Sequence, residues 1–167
     1  MPQKYVKKIL DARIYDLAVE TPVDAAPLLS QRLNNEILLK REDLQPVFSF
    51  KLRGAYNKLR QLSKAQLEAG VIAASAGNHA QGLALAAQKM GVKATIVMPI
   101  TTPKIKVDAV RGWGANVVLF GDNYDAAAGH ANELIEQHGM TYIHPFDDPD
   151  IIAGQGTVGM EILRQLP

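Results

Sequence analysis

The residue whose type and position could do chemistry is a lysine at a predicted loop-to-helix junction. Lys51 follows Ser49 and Phe50 and opens a helix that the apolar spacing predicts for 51–63. The first turn of a helix disfavours a cation, and we expect the Phe50 ring to disfavour the ammonium form further. A neutral amine condenses with an aldehyde and can afterwards act as a base. A solvated lysine without a chemical role is the alternative.

A second segment predicts a turn that could receive an anion. The sequence ASAGNHAQG at 74–82 follows an apolar strand and opens a helix, and its small side chains let backbone N–H groups approach a ligand. Asn78 and His79 would add side-chain donors within the same turn. Close packing of strand and helix without a ligand is an equally open interpretation of such a turn.

Both segments lie in a predicted alternation of strands and helices. From residue 36 onward short apolar runs alternate with segments of helical period, which predicts an α/β fold with a parallel sheet and helices on both faces. A helix near 4–15 and a turn at Thr21-Pro22 come before this alternation. The predicted strands are 36–41, 70–74, 93–98, 115–120 and 141–144, and the predicted helices are 51–63, 78–90, 103–111, 123–138 and 150–165.

The composition narrows the class of partner. The chain has 18 basic and 17 acidic side chains with no long block of either sign, so neither nucleic acid nor a membrane surface is an expected partner. It has no cysteine, which excludes disulfides, thiolate catalysis and cysteine-bound zinc. The first residues lack the apolar core of a signal peptide, and no apolar run is long enough for a membrane span. We expect a cytoplasmic protein, since the absence of cysteine is compatible with a reducing compartment.

Some patterns invite other functions. Gly154, Gly156 and Gly159 spell G-x-G-x-x-G, but no predicted strand directly precedes them and the acidic residue of a dinucleotide site is missing. We expect close packing at a helix start instead. Arg41, Glu42 and Asp43 resemble a charged acid–base cluster, for which a structural ion-pair role is favoured. No metal site is expected, since metal-ligand spacing is absent among His79, His130, His138 and His144.

Together, residues 40–60 and 74–82 resemble the lysine and asparagine-loop motifs of threonine dehydratases. These belong to the pyridoxal-phosphate enzymes of fold type II, the tryptophan-synthase-β-like family. The resemblance continues through VMPITTPKIKVDAVRGWGA at 97–115 and IAGQGTVG at 152–159. The segment KREDLQPVFSFKLRGAYN is more similar to the biosynthetic enzymes of the isoleucine pathway than to the catabolic ones.

The resemblance implies an activity and a role for each matching residue. The activity is conversion of L-threonine to 2-oxobutanoate and ammonia; a serine racemase or serine dehydratase, or a non-catalytic module without cofactor, are the alternatives. Lys51 would bond covalently to pyridoxal 5'-phosphate, Phe50 would pack beside its pyridine ring, and Asn78 would hydrogen-bond its 3-hydroxyl. The loop that receives the substrate carboxylate would consist of Ser75, Ala76, Gly77 and His79.

The resemblance also implies a domain organisation. Residues 1–35 would form an arm that packs on a larger domain, residues 36–150 the small α/β domain, and residues 151–167 a helix leading into the larger domain. The family grips the cofactor phosphate with a run of glycines, and no such run occurs among the 13 glycines of this sequence. We therefore expect a truncated sequence, weak cofactor binding by this chain alone, and a homo-oligomeric full-length enzyme.

Overall fold

Helices and strands alternate along most of the chain, and the computed structural model describes residues 2–166. The helices are α1 (Pro2–Leu10), α2 (Pro27–Leu33), α3 (Lys51–Gln61), α4 (Lys64–Ala69), α5 (Asn78–Met90), α6 (Lys104–Gly112), α7 (Tyr124–His138) and α8 (Pro149–Gln165), with a short 3₁₀ turn at Glu42–Leu44. The strands are β1 (Val23–Ala25), β2 (Leu38–Lys40), β3 (Val71–Ala74), β4 (Ala94–Met98), β5 (Asn116–Leu119) and β6 (Thr141–Tyr142).

Four of the strands form a parallel sheet in the order β5-β4-β3-β6. The two faces of this sheet have different partners, since successive side chains of a strand point to opposite sides. In β3, Val71 and Ala73 join the large core cluster with α3, α5, α6 and α8, whereas Ile72 and Ala74 join a smaller cluster with Ala127 of α7. The predicted α/β class, with helices on both faces, is confirmed.

The first predicted strand does not belong to this sheet. Residues 36–41 were expected to open the parallel alternation, but β2 pairs antiparallel with β1 in a separate two-stranded sheet, with Val23 opposite Lys40. The sequence prediction was wrong here because neither β1 nor α2 was foreseen. A three-residue strand followed by Pro27 gives no period that can be read as a strand and a helix.

Capping residues explain where several helices begin and end. Gly91 ends α5 in the left-handed region at φ 67°, directly after residue 90, where the predicted helix 78–90 ends. The Ser63 side chain accepts from the Gln66 backbone in a capping box that starts α4. Pro103 precedes α6 and does not lie in its first turn, and α1 ends at Leu10, well before residue 15.

Helix α8 lies against both α1 and α3 at short range. A Cβ on Gly154 would come within 2.5 Å of the Arg53 carbonyl oxygen, and one on Gly156 within 2.5 Å of the Ile9 side chain. Gly154, Gly156 and Gly159 therefore lie inside a helix, and the first two let other elements approach it closely. The expected close packing is confirmed for Gly154 and Gly156, although it occurs inside the helix and not at its start, whereas a Cβ on Gly159 would meet nothing within 4 Å. The proposed boundaries at residues 35 and 150 stay predictions.

Candidate active site

Lys51 is the first residue of α3, as predicted. Phe50 occupies the N-cap position without a side-chain cap, while the Ser49 hydroxyl accepts from the Lys51 backbone N–H at 3.3 Å. The Lys51 ammonium nitrogen donates to the Pro145 carbonyl oxygen at 2.8 Å, so the side chain is directed into the protein. Burial lowers the pKa of Lys51. The neutral amine is therefore reached at lower pH than for a solvated lysine.

The Phe50 ring favours the charged form of this amine, whereas the sequence led us to expect that it would disfavour that form. The Lys51 ammonium nitrogen lies 5.5 Å from the centre of the Phe50 ring, a distance at which an aromatic face attracts a cation. The ring thus favours the ammonium form, and burial is what lowers the pKa. Phe50 remains 40% exposed, so one part of its surface is free to contact a ligand.

The turn between β3 and α5 presents backbone donors. Ser75 is held at the end of the sheet by a bond from its N–H to the Val97 carbonyl at 3.1 Å, and its hydroxyl accepts from the Gly77 N–H at 3.3 Å. Gly77 is the N-cap of α5 and has no side-chain cap, and a Cβ built there would meet nothing within 4 Å. The exposed Asn78 begins the helix. The open helix start suits an anion.

His79 is the buried member of this turn. It is 3% exposed, and its Nε2 lies 2.9 Å from the Ile143 carbonyl oxygen, so Nε2 must carry the proton. Burial, with a smaller contribution from the nearby charge of Lys51, lowers the pKa of His79 to about 4. The ring is therefore neutral at physiological pH. Its Nδ1 is a buried acceptor without a hydrogen-bond partner in the described chain.

A glycine brings the two predicted motifs together. A Cβ on Gly82 of α5 would lie 2.8 Å from the Leu52 backbone nitrogen and 2.9 Å from the Lys51 carbonyl carbon. Only a residue without a side chain lets the first turn of α3 approach α5 this closely. The effect of the Lys51 charge on His79 reflects the same proximity. The amine and the anion-binding turn thus belong to one site.

Sequence reasoning missed the carbonyl group that the lysine contacts. The Pro145 carbonyl belongs to the segment 143–147 after β6, and the same segment accepts the His79 bond at Ile143. A backbone carbonyl carries no residue-specific signal. The adjoining His144-Pro145 pair was the one local feature of the sequence that could have marked an ordered turn.

Sequence reasoning also missed a buried charge cluster two residues along the same helix. Arg53 is fully buried, and its guanidinium donates to Glu42 at 2.7 Å and to Glu161 at 2.6 Å. Burial opposes its charge, but the two carboxylates outweigh burial and raise the pKa of Arg53. Further contacts join this Arg53 cluster to the segment 15–21, β2 and α8 through Tyr15, Val19, Thr21, Lys40 and Thr157.

The ion pairs predicted for residues 41–43 agree with the structure. Arg41 pairs with Asp24 and Asp43, and Glu42 pairs with Arg53, so the structural role expected for this charged segment is confirmed. Within residues 2–166, no group of three metal-ligating side chains converges. No helix in the described part of the chain has the length and apolar character needed to cross a membrane.

The side chains and backbone groups present fit a pyridoxal phosphate. A partly buried amine with a lowered pKa can bond to the aldehyde, and the turn at Gly77 offers room at a helix start that has no side-chain cap. The buried Nδ1 of His79, in the same turn, has no hydrogen-bond partner in the described chain, so a polar partner is missing at this place. These features define a class of protein: an α/β domain that presents a reactive lysine beside an anion-binding helix start.

Comparison with known proteins gives the family. Residues 14–167 match the family described as pyridoxal-phosphate dependent enzymes, and the chain belongs to it. It is 60% identical over 163 residues to threonine dehydratase 1 biosynthetic, chloroplastic, of Solanum lycopersicum, covering 98% of this chain and 27% of that protein. It is also 60% identical over 164 residues to L-threonine dehydratase biosynthetic IlvA of Burkholderia multivorans, covering 96% of this chain and 32% of that protein.

Solved structures show the same relationship. The processed form of threonine deaminase isoform 2 from Solanum lycopersicum superposes with a TM-score of 0.93 at 57% identity, covering 98% of this chain and 45% of that one. Maize serine racemase superposes with a TM-score of 0.93 at 33% identity, covering 97% of this chain and 50% of that one. The chain thus spans half or less of the length of these relatives.

Proposed function

We propose that this chain carries the cofactor lysine of an enzyme that converts L-threonine to 2-oxobutanoate and ammonia with pyridoxal phosphate. The observation that carries the proposal is the Lys51 amine, which is held in the protein by the Pro145 carbonyl beside the open start of α5. Its relatives named threonine dehydratase and threonine deaminase, at 57% to 60% identity, support the choice of substrate.

Three residues would hold the cofactor. Lys51 would bond to its aldehyde carbon, the exposed part of the Phe50 ring would lie against its pyridine ring, and the exposed Asn78 amide would donate to its 3-hydroxyl. When bound, pyridoxal phosphate supplies an aromatic ring that withdraws electrons from the substrate α-carbon. No two glycines of the sequence are adjacent, so this chain contains no glycine run. We propose that other groups hold the cofactor phosphate.

Lys51 would also move the proton. Burial lowers its pKa, so more of the side chain is neutral near physiological pH than for a solvated lysine, and only the neutral amine can remove the substrate α-proton. The Pro145 carbonyl could then accept a hydrogen bond from the ammonium that results. Removal of the α-proton and donation to the Pro145 carbonyl use the same Lys51 nitrogen. This explains why that nitrogen is partly buried and still reaches a hydrogen-bond acceptor.

The turn between β3 and α5 would bind the substrate carboxylate. The positive end of the α5 dipole and the N–H groups at its uncapped start favour an anion there. The neutral His79 adds no charge and fixes the turn to the segment 143–147. The backbone and side-chain groups that we propose for this role are those of Ser75, Ala76, Gly77 and His79.

The domain assignment is also a proposal. Residues 1–35 would pack in part on a larger domain, for which the exposed side chains of Leu28, Leu29 and Leu33 on α2 give apolar area. Residues 151–167 would lead into that domain, and the complete enzyme would be a homo-oligomer. A cytoplasmic location stays a prediction, since the Solanum lycopersicum relative is named chloroplastic.

Trapping the amine tests the role of Lys51. Addition of pyridoxal phosphate should produce an imine absorption band, and borohydride followed by mass spectrometry should place the reduced adduct on Lys51. Lys51→Arg should lose the band. Lys58→Arg is the matched control, because Lys58 lies two turns further along α3 and is paired with Asp148. Because we expect weak binding by this chain alone, the cofactor is added in large excess. A folded protein that forms no adduct even then, or one that is modified equally at both lysines, would contradict the proposal.

A substrate assay separates the enzymatic alternatives. The likeness to maize serine racemase makes serine the competing substrate. Release of 2-oxobutanoate from L-threonine, faster than release of pyruvate from L-serine and without D-serine, is the expected result. A single methyl group changes binding by about 1–3 kcal/mol, so the two rates should differ by roughly 10- to 200-fold. Formation of D-serine as the main product would favour the racemase.

A further inference from the structure

The segment 143–147 is fixed where it leaves the sheet. The Ile143 N–H donates to the Ile72 carbonyl at 2.9 Å, which extends the pairing of β6 with β3. The Ile143 carbonyl in turn accepts from His79 Nε2 at 2.9 Å. The backbone therefore has a defined position at the point where the turn 144–147 begins.

His144 folds the turn that follows. Its Nδ1 accepts from the backbone N–H of Phe146 at 3.2 Å and from that of Asp147 at 2.7 Å. Both bonds need a lone pair on Nδ1, so the proton of the neutral ring is on Nε2. The ring is further held edge-on by Tyr142 and Phe146, with ring centres 6.1 Å and 4.7 Å away. This geometry reproduces the turn that asparagine makes with the N–H groups two and three residues later.

One peptide group connects this turn to Lys51. The Pro145 carbonyl and the Phe146 N–H belong to the same planar trans peptide, in which C=O and N–H point in opposite directions. Because the Phe146 N–H is directed at His144, the Pro145 carbonyl must point away from His144. On that side it accepts from the Lys51 ammonium at 2.8 Å.

We propose that His144 is a positioning residue for Lys51, acting through the orientation of the Pro145–Phe146 peptide. The imidazole holds the N–H end of this peptide, and the carbonyl end holds the amine. The inference deepens the proposed function, because it gives the cofactor lysine a device that fixes its position before the cofactor binds. Nothing in residue type or in distance along the chain would otherwise link a histidine after β6 to the start of α3.

The test measures the Lys51 amine without any cofactor. Trinitrobenzenesulfonate reacts only with neutral amines, and peptide mapping gives the labelling rate of each lysine. In His144→Ala the carbonyl is free to rotate, and loss of its bond to the ammonium should lower the Lys51 pKa further, so that its labelling rate rises about tenfold at a pH below that pKa. In His144→Asn the amide oxygen can accept the same two N–H groups, and the rate should return close to the original.

Two controls separate this role from a general loss of structure. His138→Ala removes an exposed histidine at the end of α7 and should leave Lys51 labelling unchanged. Circular dichroism should show all three variants folded, and the other lysines should keep their rates. An unchanged Lys51 rate in His144→Ala would overturn the proposal. Equal rates in the alanine and asparagine variants, both faster than the original, would also overturn it, since the ring and not the acceptor would then matter.

The outcome is independent of cofactor binding. If His144→Ala accelerates Lys51 labelling but pyridoxal phosphate forms no adduct, the positioning role holds and the proposed function fails. If the adduct forms on Lys51 and labelling is unaffected by His144→Ala, the reverse is true. When both hold, the imine band should form more slowly or incompletely in His144→Ala and recover in His144→Asn.

Discussion

Lys51 and Arg53 lie on the same first turn of α3, yet their surroundings differ in kind. Arg53 is fully buried between the carboxylates of Glu42 and Glu161, and a second cation, Lys40, pairs with Glu161. Lys51 is partly exposed and contacts a neutral carbonyl and an aromatic face. A cation enclosed by carboxylates cannot lose its proton, whereas one that has only neutral neighbours can. The first is structural, and the second is available for chemistry.

Replacing the two cations should separate them most clearly. Arg53→Met removes the guanidinium that Glu42 and Glu161 share and leaves the buried Glu161 paired with Lys40 alone, and we expect a loss of about 3–5 kcal/mol in the free energy of unfolding. Lys51→Met removes a single bond to a neutral carbonyl and keeps the apolar stem, so its loss should stay within about 1 kcal/mol. Urea unfolding of both variants gives the two values.

Arg60→Met is the control for removal of an arginine from α3. Its partner Asp16 is exposed, and an exposed ion pair contributes about 1 kcal/mol or less. A loss for Arg53→Met no greater than that for Arg60→Met would show that the Arg53 cluster does not stabilise the fold. The distinction between the two cations of the first turn would then have no energetic basis.

The packing beside Arg53 can be tested with two glycines of one helix. Gly154→Ala forces a Cβ against the Arg53 carbonyl and the Gly54 backbone, and such overpacking should cost about 1–3 kcal/mol. Gly159→Ala, on the same helix with no atom within 4 Å of the new Cβ, should stabilise by up to about 1 kcal/mol. Thermal unfolding of both variants checks the opposite signs. Equal effects would mean that α8 can move away from α3 without cost.

A decrease in pH should reduce the stability that His79 contributes and should leave the Arg53 cluster charged. The pKa of His79 is about 4 in the folded protein, below its ordinary value near 6.5, so the unfolded chain binds a proton in this window and the folded chain does not. The stabilisation is complete above about pH 6.5 and falls as the pH decreases toward 4, with a loss of about 2 kcal/mol between pH 7 and pH 5. Although burial favours protonation, Arg53 and Lys40 keep the pKa of Glu161 below its ordinary value, so the cluster remains charged there.

His79→Gln removes this titration and leaves a side chain that can still donate to the Ile143 carbonyl. Urea unfolding of the two proteins at pH 7 and pH 5 should give a smaller difference for the variant, by about 2 kcal/mol. Parallel losses in both proteins would place the pH dependence elsewhere in the chain.

Sequence reasoning succeeded where one signal was local. The strands of the parallel sheet are apolar runs, Gly91 ends a helix, and Lys51 and Asn78 each open one, so type and position suffice. It failed where the cause was a partner far along the chain or a backbone atom. Glu161 is separated from Arg53 by 108 positions, and the Pro145 carbonyl from Lys51 by 94. Nothing in either local sequence identifies those partners.

The segment before Lys51 contains a residue with a strained backbone, and its replacement should have the smallest effect on the free energy of unfolding. Phe48 has φ 55°, in the left-handed region that favours glycine and asparagine, and its ring is 78% exposed. Phe48→Asn should therefore raise the free energy of unfolding by about 0.5–1 kcal/mol. Phe48→Ala keeps the Cβ and should change it little. A loss of stability in both variants would mean that the ring itself stabilises the turn, and that strain before Lys51 is offset by contacts that the exposed ring makes.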